Sequence, residues 1–182
     1  MIWLIVIAII AILLIWGIVT YNKFIRFREN INNAMSQISA QIESRWDALT
    51  NLITATKNYQ TYESKTLTKI IEDRSSVPQD ASVKDIDQDD QRFSNALGVI
   101  SALAEQYPDL KASNVYLQTM SSVDKYENQV RESRMIYNDT VTRFNRAIKT
   151  FPNSLLASPF GFTEQNYFKN TESKQEMPQW SE

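Results

Sequence analysis

Residues 2–20 read IWLIVIAIIAILLIWGIVT, an apolar run with no charged side chain. A hydrocarbon core of about 30 Å takes about 20 helical residues at about 1.5 Å each, and the run has that length. It is dominated by Ile, Leu and Val, each of which favours insertion by roughly 0.3–0.6 kcal/mol near the bilayer centre. The chain after Tyr21 is too polar to follow it. The sequence therefore predicts a single membrane span, 1–21, with a water-soluble part of about 160 residues, enough for one domain with its own core.

The flanks predict an orientation. Lys23, Arg26 and Arg28 follow the run and no cation precedes it. Lys/Arg excess marks the cytoplasmic flank, so the expectation is an N-terminus outside and a soluble domain in the cytoplasm, at the cell (inner) membrane. Trp3, Trp16 and Tyr21 stand near the two ends of the run, where amphipathic rings suit the headgroup layer. A cleaved signal peptide is the poorer reading: the basic n-region is missing, the apolar core is long, and Trp16-Gly17-Ile18 is not a small-x-small cleavage site. No Cys is available for a lipoprotein anchor. Ala8, Ala11 and Gly17 form no small-xxx-small pair, so the span itself carries no packing motif for a second copy.

Composition narrows the chemistry. The chain has 0 Cys, 0 His and 3 Gly. Disulfides, thiolate chemistry, the commonest general base and the commonest transition-metal ligand are all missing, as is any glycine-rich phosphate cradle. A net charge of −2 gives no basic footprint for nucleic acid. These features point to a non-enzymatic protein with no cofactor.

Beyond the span, periodicity predicts an all-α fold. Ile31, Met35, Ile38, Ile42, Trp46, Leu49 and Ile53 recur in steps of four and three, the seam of a helix packed on helices. No Pro or Gly interrupts Tyr21 to Val77, so one long helix is expected, with nothing to separate it from the span. Ser75 to Asp80 is turn chemistry, and Ser82 with Asp85 has capping-box spacing for a second helix. That helix carries Phe93, Leu97, Ile100, Ala104 and Tyr107 and stops at Pro108. A third, from near Leu110, carries the seam Tyr116, Met120, Val123, Glu127, Val130, Arg134, Tyr137, Val141, Phe144, Ile148 and Phe151. Short turns between long helices predict an elongated antiparallel bundle of three to four helices over 22–152, with three of them up-down-up. An aromatic-rich strap over 153–170 with a short helix near 163–170 follows, then a polar tail, 171–182.

The candidate sites are few. Glu127 and Arg134 occupy seam positions where apolar residues belong, and Arg45 shares the first helix's seam. Buried alone they would be costly, so pairing is expected, either as a polar cluster that fixes helix register or as a spot read by a partner. Asp85, Asp87, Asp89 and Asp90 imitate the start of a calcium loop. Asp90 stands where such a loop needs Gly and Ala96 where it needs Glu, so acids at a helix N-terminus are the better reading. Phe160, Phe162, Tyr167 and Phe168 read as a cap on the end of the bundle core, or as a tip touching a partner or membrane. Surplus apolar residues Phe24, Ile25 and Phe27 on the first helix favour packing against a second copy.

The stretch YNKFIRFRENINNAMSQISAQIESRWDALTNLITATKNYQTYESKTL resembles the first block of the LemA family: YN after the span, an Arg one turn on, then AWSQID-like, RRxDLIPNL-like and VKGYxxHExxTL-like segments. A second match runs through YPDLKAS, Leu117-Gln118, Glu127-Asn128, Tyr137-Asn138, Phe144-Asn145 and FPNSLLASPFGF. Met35 replaces the usual Trp, Thr50 the usual Pro, and Tyr62 the usual His before Glu63. Loss of the Pro implies a straighter first helix, and no role resting on that His carries over. The resemblance implies a membrane anchor, an elongated antiparallel helical bundle and no known catalysis. It also implies kinship with a protein of magnetosome membranes, and a link to a membrane zinc metalloprotease of the HtpX type. The function expected is a scaffold that self-assembles at the lipid bilayer as a homo-oligomer. The alternative is an adaptor that binds a membrane protease or transporter.

Overall fold

A computed structural model of the protein describes residues 1–56 and 81–169. Among them all regular structure is helical. Helix α1 runs Ile2–Thr56, α2 Val83–Gln106, α3 Pro108–Lys111, α4 Asn114–Lys149 and α5 Ser154–Ala157. Expectations that fall on 57–80 and 170–182 lie outside the described residues; these are the helix continuing to Val77, the turn at 75–80 and the tail.

The 55 residues of α1 join span and bundle in one uninterrupted rod of about 80 Å. The helix passes through Thr50, whose hydroxyl donates back to the Trp46 carbonyl at 2.8 Å; a Pro there would remove a backbone donor and clash with the preceding turn. The first 19 positions are almost wholly exposed, and burial begins at Thr20 and Phe24. This is the pattern of a helix whose apolar end is solvated by lipid.

The soluble core is built where the seams meet. Phe24, Ile31, Met35, Ile38, Ile42, Trp46, Leu49 and Ile53 are buried on α1, with Phe93 and Ile100 from α2 and Val123, Val130, Tyr137, Val141, Phe144 and Ile148 from α4. Helix α4 is antiparallel to α1: Arg45 meets Glu127, while Ile31 and Met35 share a cleft with Tyr137. Helix α2 runs parallel to α1, since Ser82 and Val83 line the cleft of Ile31 and Met35 while Asp89 and Phe93 meet Arg45 and Trp46. The up-down-up order is thereby corrected.

Cap chemistry sets the helix ends. Ser82 and Asp85 form both halves of a capping box. The third helix comes in two pieces because Ser113 starts a new one: its hydroxyl accepts from the Tyr116 N–H at 3.2 Å and donates to the Leu110 carbonyl at 2.7 Å. Tyr107 and Phe151, expected in the seam, are exposed because each lies just past a helix end, where the period no longer applies.

After α5 the chain turns at 158–161 and then carries no regular structure, so the short helix expected near 163–170 is absent from 163–169. Two asparagines of α4 hold this stretch by imitating a strand edge. Asn145 donates to the Gln165 carbonyl and accepts its N–H, both at 2.9 Å. Asn138 does the same for Phe168, at 3.0 and 2.9 Å. Seven helical residues advance about 10.5 Å and three extended residues about 10 Å, so the two pairings stay in register. A helical strap would have drawn the second pair apart.

Candidate functional site

The charged seam residues converge on one cluster. Arg45 extends from α1, and its guanidinium donates to Glu127 of α4 at 2.8 Å and to Asp89 and Asp90 of α2 at 3.1 Å each. Arg134 of α4 also donates to Asp90. Two guanidinium groups thus face three carboxylates and tie the three long helices together. The side chain of Arg45 is 2% exposed and that of Asp89 1%, whereas Asp90 and Glu127 reach water at 29% and 40%. The buried centre is closed by aromatic rings. Arg45 lies 4.0 Å from the centroid of Phe93, and Trp46 meets Phe93 edge-on at 5.1 Å. Arg134 lies 4.9 Å from the centroid of Phe168 on the strap, so the network joins the strap to the helices as well. The arrangement holds charge in fixed positions, and among the described residues no group of His, Cys, Asp and Glu is disposed to hold a metal.

Asp89 and Asp90 were not expected here. Their reading as acids at a helix N-terminus is corrected: of the acidic run, Asp85 makes the cap, while Asp89 and Asp90 turn inward to Arg45. Asp89 stands three residues after buried Ile86 and four before buried Phe93, which is a seam position. An acid there, matched with a base on another helix's seam, was the available signal.

Asp85 in the cap and Tyr137 in the core have displaced titrations. The Ser82 hydroxyl and backbone N–H hold the Asp85 carboxyl below its ordinary value, and burial pushes the Tyr137 phenol up.

The C-terminal aromatics divide. Phe162 and Phe168 are buried, Phe160 and Tyr167 exposed. Phe162 packs on Phe24 at 5.0 Å and Tyr21 at 5.7 Å, with Phe144 at 6.4 Å. It covers the face of α1 that was expected to need a second copy, and Ile25 and Phe27 are packed half-buried against the same core. Tyr21 also meets Phe160 at 5.2 Å. Trp3, Lys23, Arg26 and Arg28 are exposed along α1, Trp16 is half-buried, and Arg28 lies 5.7 Å from the Phe162 ring.

Relatives share this architecture's sequence. The LemA family profile matches residues 34–181, a stretch that starts beyond the span and takes in the whole charged cluster and the strap. The protein LemA of Metamycoplasma hominis is 30% identical over 156 residues, covering 83% of this chain and 69% of its own. The magnetosome protein MamQ 2 of Paramagnetospirillum magneticum is 26% identical over 190 residues, covering 90% and 68%. The magnetosome protein MamQ of Magnetospirillum gryphiswaldense is 34% identical over 79 residues, covering 43% and 29%.

Proposed function

The chain belongs to the LemA family, and from that premise we propose that it is a non-enzymatic, membrane-anchored scaffold that assembles with copies of itself through its helical bundle. The observation that carries this reading is the outer face of α4, where Leu117, Met135 and Ile136 are exposed by 55%, 57% and 55%. Large apolar side chains in that position gain by association. The continuous α1 rod supports it too, because it holds every copy upright at one height above the bilayer. The Arg45 cluster serves as the lock that fixes helix register and so the shape of that face. We place the bundle in the cytoplasm: Lys23, Arg26 and Arg28 flank the span, and Arg146 and Lys149 at the end of α4 add to the positive side.

A second reading, a fixed-stoichiometry adaptor for another membrane protein such as an HtpX-type metalloprotease, draws on a different detail. Exposed Asp124, Lys125, Arg131 and Glu132 separate Leu117 from Met135 and Ile136, giving the mixed polar and apolar face usual in non-obligate contacts.

Mass measurement of the detergent-extracted full chain tests both. A defined multimer that Ile136→Lys dissociates is expected. A monomer at every concentration, co-purifying with one other membrane protein, would replace the scaffold by the adaptor. Protease digestion of the bundle in sealed right-side-out vesicles tests orientation, with protection expected.

A further inference from the structure

The turn between α4 and the strap sits at the depth of the membrane span. Antiparallel packing brings the end of α4 down beside Tyr21 and Phe24, and the turn then continues past them. Its helical part, Ser154–Ala157, packs on α1. Within the apolar run, only Trp16, Gly17 and Thr20 are covered, Thr20 to 5% exposure, while every other position is open. From Thr20 down to Trp16 is about 6 Å of helix, so the covered part of α1 lies inside the stretch that lipid surrounds.

At this level the turn presents large apolar side chains outward. Phe151 is 76% exposed, Leu155 62% and Phe160 56%. None of the three caps the core; Phe162 does that. Gly161, at φ +71°, lies between exposed Phe160 and buried Phe162, and both rings meet Tyr21 edge-on at the end of the span. Cations lie just above the turn: Arg146 and Lys149 in the last turn of α4, with Lys23 and Arg26 on α1, all exposed. An apolar tip below a collar of cations has the layered polarity of an interfacial membrane element, whose apolar groups sink about 5–10 Å into the headgroup and acyl boundary.

We propose that the turn 150–161 is a second membrane contact, with Phe151, Leu155 and Phe160 sunk in lipid beside the span and Arg146 and Lys149 at the level of the phosphates. The occupant is lipid because the turn is level with the apolar run, where the bilayer is the surrounding solvent. Two attachment points fix what one span leaves free, the rotation of the bundle about the α1 axis, so that a defined face of α4 is held at a set angle to the bilayer.

The chain has 0 Cys, so single-cysteine variants label uniquely. Full-length Leu155→Cys, Phe160→Cys and, as the water-exposed reference, Gln118→Cys would carry an environment-sensitive fluorophore in phosphatidylcholine/phosphatidylglycerol vesicles. Spin labels placed on lipid chains near the headgroup, or iodide in the buffer, would act as quenchers. Labels at 155 and 160 should emit to the blue of the label at 118. They should also be quenched by the lipid nitroxide several-fold more strongly, and by iodide several-fold less. Iodide quenching equal to that at 118 would overturn the proposal. Protection from iodide without lipid quenching would overturn it too, by showing a second copy over the turn. Leu155 is 62% exposed, so its variant keeps the test open if Phe160→Cys misfolds.

Discussion

The indole N–H of Trp46 donates to both carboxylate oxygens of Asp89 at 3.1 Å, and the same carboxylate accepts from Arg45 at 3.1 Å. Two consecutive residues of α1 thus serve one buried acid of α2. Asp89 cannot be hydrated at 1% exposure, so its charge is tolerated only with both donors in place.

Removing Arg45 therefore leaves an unpaired charge inside the bundle. Arg45→Met is expected to cost about 3–5 kcal/mol, and Trp46→Phe, which keeps a ring against Phe93 but loses the donor, about 1–3 kcal/mol. Glu127→Gln, at the open rim, is expected to cost no more than about 1 kcal/mol. Denaturant melts of the detergent-solubilised chain give the three values; a Glu127→Gln loss as large as that of Arg45→Met would refute this ordering. The double variant Arg45→Met with Asp89→Leu should cost less than the sum of its singles, because the second change removes the orphan left by the first.

The strap offers a local test. Asn138 and Asn145 each exchange a donor and an acceptor with strap backbone. Replacing Asn145, 4% exposed, by Leu is expected to cost about 1–3 kcal/mol. The loss should be concentrated in the strap: amide exchange at Gln165 and Phe168 should quicken well before that of the α1 and α4 cores. Uniform acceleration along the chain would mean that the strap is an integral part of the global fold.

Much of this was readable from periodicity, and the failures have one cause. The seams of α1 and α4 were legible because most of their positions are apolar and both helices are long. Asp89 was missed because a charge interrupts an apolar period and resembles a helix boundary. Its partner's sequence position, 44 residues away, carries no local mark. The strap was misread for a related reason. Its hydrogen bonds come from Asn138 and Asn145, residues whose spacing fits an extended chain only when helix rise and strand rise are compared. The direction of α2 is a matter of tertiary packing that no local pattern encodes. Phe160 and Phe162 look alike in sequence and differ in the structure because of the one glycine between them.

The cap of α2 should show in acid. Asp85 has a folded pKa below its ordinary 3.8 because Ser82 binds the carboxylate. A lowered folded pKa means stability that is present above the unfolded value and is lost as pH falls through the folded one. Wild type should thus lose helix stability below about pH 3.8, and Ser82→Ala should flatten that dependence. For Tyr137 the sign reverses: with its folded pKa raised above 10.0, its contribution is full below that value and is lost as pH rises further. Thermal melts across both ranges, with Tyr137→Phe as the alkaline control, read the two effects separately.

Gly161 gives the sharpest conformational prediction. Its φ of +71° is left-handed, and a Cβ built there would meet nothing within 4 Å. Any loss on substitution is therefore backbone strain and not a clash. Gly161→Ala should cost about 1 kcal/mol, the usual penalty for an L-residue in that region. Gly161→Asn should cost less, because a short polar side chain tolerates the left-handed conformation. The strain acts on a particular contact: relaxing φ would shift Phe162 and loosen its packing on Phe24, which closes the core at the membrane end. Thermal melts should therefore rank wild type above Asn and Asn above Ala. Amide exchange in the Ala variant should quicken first at Phe162 and not at Trp46. Equal stability of Ala and wild type would show that the turn has another low-energy path, and that the seating of Phe162 does not depend on this glycine.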